Sequence, residues 1–219
     1  MSPLLTPHLE SLPEAQRALW PELRDVPPGF VLYGGTGLAL RLGHRHSVDF
    51  DFFSSRPLKH HELRRRLPFL ATAETLQEEA DVLTVSVARG APVKVSFFGP
   101  IGFGRVGTPQ RTTDLVLTVA SLMDLAATKV KVLLQRVEAK DYLDVAAILR
   151  AGVPLAQMLG GARTLFGPAF NPLSAQKTLA YFEAGDLSTV DASTRTLLRA
   201  EAVRPVEVVP LPKTADQLD

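Results

Sequence analysis

The 219-residue chain has no cysteine, which excludes disulfides, a thiolate nucleophile and a thiolate zinc site. It has no apolar run near the roughly 20 residues that a membrane-spanning helix needs. It has almost no excess charge: 24 Lys+Arg stand against 23 Asp+Glu, a formal net charge of +1. Coating nucleic acid by bulk charge is therefore not expected, while a local basic patch stays open. With 46% hydrophobic and 21% charged residues the composition is that of a globular protein, neither wholly disordered nor a coiled coil. The opening MSPLLTPHLE lacks a basic start followed by an apolar stretch, so no secretory signal is expected. The expectation is a soluble cytoplasmic protein with no membrane partner.

What is there divides into a strand-rich front and a helical back, an α+β arrangement. Residues 8–23 read as a helix interrupted by Pro13, and Pro27-Pro28-Gly29 breaks the chain. The apolar run FVLY (30–33) reads as a buried strand, followed by a helix over 36–42 with Thr36 as its N-cap and Gly43 at its end. VDFDFF (48–53) alternates as a strand does, and 57–67 reads as a helix with Pro57 in its first turn. Residues 82–88 and 92–98 form a hairpin pattern, 100–114 a Gly-rich loop, and 115–119 a short strand. Ser121 with Asp124 opens a long helical pattern reaching about Val137, and another runs from Lys140 to Arg150. Residues 173–184 suggest one more helix, and the proline-bearing end an extended or loose tail. The expected organisation is an α/β core over 1–118, a helical part over 119–202 and a tail over 203–219.

The densest chemical signal is Asp49-Phe50-Asp51. Residues two apart on a strand face the same side, so both carboxylates point one way, with Cβ atoms about 6–7 Å apart. Val48, Phe50 and Phe52 point into a core. Divalent ions held by oxygen ligands would cancel the repulsion between the two acids. Two solvated acids on an exposed strand face fit a bare D-x-D equally. Upstream, Gly34-Gly35 between a strand and a helix start would let backbone amides approach a phosphate, or would simply make a tight turn. Later in the chain, Lys129 and Arg136 lie seven residues apart on one helical pattern, and Asp141 and Asp144 share a face of the next. They would complete a polar cleft for a nucleoside triphosphate, or form surface ion pairs worth little.

Four histidines, His44, His46, His60 and His61, do not converge as a zinc site requires. Residues 56–66 hold Arg56, Lys59, Arg64, Arg65 and Arg66 against Glu62 alone. That local excess suits a phosphate backbone, and suits a solvated helix face as well.

Taken together, GGTGLALRLGHRHSVDFDFF (34–53) resembles the nucleotidyltransferase family of the AbiEii/AbiGii toxins, with its GGT-x-LAL, GHR-x-S and D-x-D segments. PVKVSFF (92–98) is similar to the strand that follows in that family, and SLMDLAATKVKVLLQRVEAKDYLDVAAIL (121–149) to its late block. The resemblance covers roughly residues 30–150. It implies the fold of the DNA polymerase β-like nucleotidyltransferases: a mixed sheet with flanking helices and a helical C-terminal part. It implies that Asp49 and Asp51 bind Mg²⁺ or Mn²⁺, and that Gly34, Gly35, Thr36, Arg45, Ser47 and Asp144 hold the nucleotide. Lys129 would contact the phosphates and Asp141 would sit in the active site, so that Asp49, Asp51, Lys129 and Asp141 form the catalytic set. Such enzymes move a nucleoside monophosphate from an NTP to an acceptor. Toxin members act on tRNA ends, a protein acceptor is the alternative, and they typically pair with an antitoxin encoded beside them.

In the mechanism so implied, an acceptor hydroxyl attacks the α-phosphorus and pyrophosphate leaves. One departure from the wider superfamily is plain. A third carboxylate is usual on a later strand, and here that strand carries Ser96, which cannot act as base or strong metal ligand. Asp141 or Asp144 is expected to stand in. Lys131, two residues past Lys129, is expected to point away from the site. Two alternatives remain: a degenerate member that binds nucleotide or a partner without turnover, and a haloacid-dehalogenase-type phosphotransferase. The second fits poorly, because Phe52-Phe53 follow the D-x-D and a GGT segment precedes it.

Overall fold

The computed structural model describes residues 4–219; residues 1–3, which open the stretch read for a secretory signal, lie outside the described residues. The apolar run after the Pro-Pro-Gly break becomes β1 (Phe30–Leu32), and the alternating DFDFFS becomes β2 (Asp49–Ser54), antiparallel to it. Phe50 and Phe52 are fully buried on one face of β2, as the period of two demands. The exposed β3 (Glu74–Glu79) leads into the hairpin β4 (Val82–Ala88) and β5 (Pro92–Phe98). Two short strands, β6 (Gln110–Arg111) and β7 (Thr118–Val119), complete a seven-stranded mixed sheet in the order β3-β4-β5-β2-β1-β7-β6. β5 runs parallel to β2, with Asp49 opposite Lys94 and Asp51 opposite Ser96. β7 runs parallel to β1.

One face of the sheet is sealed by α1 (Glu14–Leu19) and α3 (His60–Arg66) over a cluster that includes Trp20, Phe50, Phe52, Phe69 and Phe97. The helical back half consists of α4 (Leu122–Val132), α5 (Ala139–Arg150), α6 (Leu155–Phe166), α7 (Pro172–Thr178) and α8 (Ala192–Val203). Its apolar faces share one cluster with Val31, Tyr33 and Leu38 of the front half, so a common core crosses the boundary expected at 118/119. No single helix among the described residues is long and apolar enough to cross a membrane.

Several boundaries differ from expectation, each for a local reason. The helix after β1 is α2 (Gly34–Leu42), with Tyr33 rather than Thr36 at its N-cap. Thr36 is buried, and its hydroxyl meets the Ser47 hydroxyl at 2.8 Å and the Asp49 carbonyl, so it ties α2 to β2 and caps nothing. Pro13 starts α1 as its N-cap instead of interrupting a longer helix, and a 3-10 turn follows over Trp20–Asp25. α3 begins at His60, leaving Pro57 outside. The strand expected over 115–119 shrinks to β7, with Leu115 at a positive φ of 59° before it. β3 escapes sequence reading because an edge strand with every residue exposed carries no alternation. α6 escapes because Gly160 and Gly161 interrupt its pattern. The helix from Ser121 stops at Val132, short of Val137. Ser121 caps it by accepting from the Asp124 amide at 3.0 Å.

The segment beyond α8 is extended but not loose. Thr164 donates its hydroxyl to the Leu211 carbonyl at 2.6 Å, Ala215 bridges to Arg105, and the Leu218 amide donates to Ser55 Oγ at 3.0 Å. Leu218 is fully buried in the shared core. Gly160 is required here, since any Cβ on it would strike the Val209 carbonyl.

Candidate active site

Asp49 and Asp51 emerge on the same face of β2 and open into a cleft of about 480 Å³ between the central strands β2 and β5 and the C-terminal end of α4. Gly34 is what lets β1 turn into α2 beside them. Its φ of +69° suits glycine, and a Cβ on it would stand 2.6 Å from Asp51 Oδ2. Burial, and next the neighbouring Asp49 charge, push the Asp51 carboxyl above its ordinary range. Asp49 is relieved by Lys94 on β5, whose ammonium lies 3.2 Å away. These two are the acids that line the cleft; its cations are Arg45, Lys94, Lys129, Lys131, Arg136 and Lys140.

The late block is buried and internally paired. Lys129 is buried, with its ammonium 2.8 Å from Asp141 Oδ1 and 2.6 Å from Asp144 Oδ2. Both acids are fully buried. Asp141 also accepts from Arg136 at 2.7 and 3.1 Å. Asp144 takes Arg45 in a two-pronged grip at 2.7 and 2.8 Å, and His44 Nε2 lies 2.6 Å from it. Burial alone would raise both carboxyls. The hydrogen bonds and charges of Arg136 and Lys129 hold Asp141 below its ordinary range instead, and those of His44, Arg45 and Lys129 hold Asp144 well below. Neither acid lines the cleft. Each is taken up by cations, and together they orient Arg45, Lys129 and Arg136.

Of the residues read from sequence as nucleotide-holding, Gly34, Gly35, Arg45 and Ser47 line the cleft. Thr36 lies behind it with its hydroxyl turned into the body, and Asp144 lies behind Arg45. Lys131 corrects the expectation that it points away: it lines the cleft, its ammonium 5.9 Å from the centroid of Phe166. Thr128, Lys129, Lys131 and Val132 at the end of α4, with Gln135 and Arg136 beyond it, all line the cleft, so it takes in more than one face of the helix. Sequence reasoning also missed Lys94, Lys140, Phe103 and Phe166 as lining residues. Only Lys94 carried a signal, standing two residues before Ser96 on the alternating run over 92–98.

Asp49 and Asp51 fit a Mg²⁺ ion as carboxylate sites in this class do, with one or two carboxylates and the remaining ligands from substrate phosphates and water. Among the described residues no group of three His, Asp or Glu side chains is placed to hold a metal alone.

The family model for "Nucleotidyl transferase AbiEii toxin, Type IV TA system" matches residues 22–201. A relative from Aquifex aeolicus (strain VF5), uncharacterized protein aq_aa25, is 32% identical over 123 residues, 55% of this chain and 58% of that protein. The match thus spans little more than half the length of that relative. A crystal structure from H. pylori, described as that of a nucleotidyltransferase by assignment, superposes with a TM-score of 0.56 at 18% identity. It covers 86% of this chain and 90% of the other, a likeness of fold.

Proposed function

The chain belongs to the AbiEii nucleotidyl transferase toxin family, and from that premise we propose that it transfers a nucleoside monophosphate from an NTP to a hydroxyl acceptor, with Asp49 and Asp51 holding Mg²⁺ or Mn²⁺. The observation that carries this reading is the pairing of Asp49 and Asp51 on one strand face in a cleft whose other charged lining residues are all cations. Such a cleft attracts a polyphosphate and leaves the two acids available for a divalent ion. The acceptor implied by the family resemblance is a tRNA 3′ end or a protein, the partner a cognate antitoxin, and the compartment the cytoplasm.

Each residue then has a task. Arg45, fixed by Asp144, and Lys131, drawn over Phe166, meet phosphate oxygens. Lys129, fixed between Asp141 and Asp144, sets a positive potential where pyrophosphate departs. The Gly34-Gly35 turn brings backbone close to the triphosphate. The bound divalent ion would neutralise charge on the attacking and leaving oxygens. The acceptor oxygen bonds to the α-phosphorus as the bond to pyrophosphate breaks. Ser96 supplies no base, so the acceptor proton passes to Asp51 or to water in the open cleft.

Incubation with each labelled NTP, Mg²⁺ and total RNA or protein tests the reading, and label on a macromolecule that depends on Asp49 is the expected result. A second reading, nucleotide binding without turnover, draws support from Ser96 opposite Asp51 and from the Lys94–Asp49 ion pair. Nucleotide-dependent thermal stabilisation with no labelled product would favour it.

A further inference from the structure

The other end of the sheet carries a second cavity, of about 530 Å³, between the start of β1 and the β6–β7 turn. Gly34 lines the first cleft past one end of β1, and Phe30 lines this one at the other. Four arginines from four separate segments converge on it: Arg24, Arg66, Arg105 and Arg111. None is paired with a carboxylate side chain. Arg24 has no hydrogen-bond or ion-pair partner among the described residues. Arg66 donates to the Asp25 carbonyl at 3.0 Å, and Arg111 to the Leu115 carbonyl at 2.8 Å. Arg105 is fixed by the carbonyls of Gly107 and Gln217 at 3.1 Å each, and lies 3.3 Å from the main-chain oxygen of Asp219. The acid that lines the cavity, Asp219, has its carboxylate 3.4 Å from the guanidinium of Arg56.

Four guanidiniums around one carboxylate side chain, itself shared with Arg56, leave an excess of positive charge that an anion in the cavity would balance. Guanidinium forks suit phosphate oxygens, which they take two at a time. The cavity is too large for one phosphate and has apolar as well as charged walls, from Val26, Pro27 and Phe30. That combination fits successive phosphates with a base lying on the apolar floor. The basic helix α3 divides accordingly. Arg64 is neutralised by Glu78 at 2.6 Å and Lys59 by Glu62 at 3.2 Å, whereas Arg66 turns toward this cavity.

We propose that the arginine-lined cavity at the start of β1 binds the phosphodiester backbone of a single-stranded nucleic acid. The site stands apart from the transfer reaction, and its test does not depend on turnover.

The test is fluorescence anisotropy of the full chain with a mixed-sequence single strand of about 12 nucleotides, as RNA and as DNA, across roughly 50 to 300 mM KCl. The triple variant Arg24→Gln, Arg66→Gln, Arg111→Gln is expected to weaken binding at least about tenfold and to lower the log–log salt slope by about 2, at ~0.7 per phosphate contact on a single strand. These residues are exposed and hold at most one carbonyl each, so the melting temperature should stay as it was. A triple of equal charge loss on the helical side, Lys177→Gln, Arg199→Gln, Arg204→Gln, should leave affinity and slope near those of the unaltered chain. Loss confined to RNA or to DNA identifies the strand. Equal loss in both triples, no loss in the first, or no binding of either strand at low salt overturns the site.

Discussion

Asp51 and Ser96 stand opposite each other on the parallel strands β2 and β5, and Ser96 is buried with its hydroxyl 3.2 Å from that of Thr84. A third acid at this position would lie on the same face as Asp49 and Asp51. Ser96→Asp is therefore expected to lower the melting temperature in chelator, because three carboxylates then repel. It should also enlarge the stabilisation given by Mg²⁺ beyond that of the unaltered chain. Thermal melts with and without Mg²⁺ check this, and an equal Mg²⁺ response in both proteins would refute it.

Asp51→Asn is expected to abolish transfer while making the fold more stable at neutral pH. Burial and the Asp49 charge raise the Asp51 carboxyl above its ordinary value of about 3.9, so its ionised form costs stability above its folded pKa. As pH falls through that folded pKa and below the unfolded value, the cost disappears. The variant's advantage in melting temperature should shrink in the same window. A melting temperature below that of the unaltered chain at pH 7 contradicts this.

Lys129 and Lys131 should separate cleanly. Lys129→Ala leaves two buried acids with one fewer counter-ion, and the cost is expected to be about 3–5 kcal/mol of stability, the range for breaking a buried pair. Lys131→Ala keeps the fold and loses one phosphate-facing charge, so NTP affinity should fall by about tenfold with little change in melting temperature. Urea unfolding and nucleotide titration read the two effects, and the reverse pattern would exchange their roles.

Asp144→Ala should be among the least stable single variants, again by about 3–5 kcal/mol, because Arg45, His44 and Lys129 all converge on that carboxylate. The carboxyl is depressed in the folded chain, so its contribution is present above the unfolded value of about 3.9 and is lost as pH falls through the folded one. The unaltered chain should lose stability below about pH 4 more steeply than the variant does. Parallel acid-unfolding curves would show that Asp144 is not the hub.

Residues with a short-range period were legible in the sequence. β1, β2 and the β4–β5 hairpin follow from runs and alternation, and D-x-D places two carboxylates on one face without any tertiary knowledge. The site's charge balance was not legible. Spacing puts Lys129 near Asp141 and Asp144, but only packing shows that all three are buried together and paired. Lys131 was misjudged for a related reason: the face of α4 that the cleft takes in is set by Phe166 and the sheet packed around it, which spacing along the helix does not show. The arginine cavity lay beyond sequence reading altogether, since positions 24, 66, 105 and 111 meet only through the sheet.

The seating of residues 205–219 has a consequence for how the cleft wall is braced. Leu218 is fully buried in the shared core, and Arg105 is held by main-chain oxygens at 217 and 219. The loop bearing Arg105 leads from Phe103, which lines the cleft. A segment far from the carboxylates in sequence therefore clamps one wall of their cleft, and a change at Leu218 would reach the site through that loop.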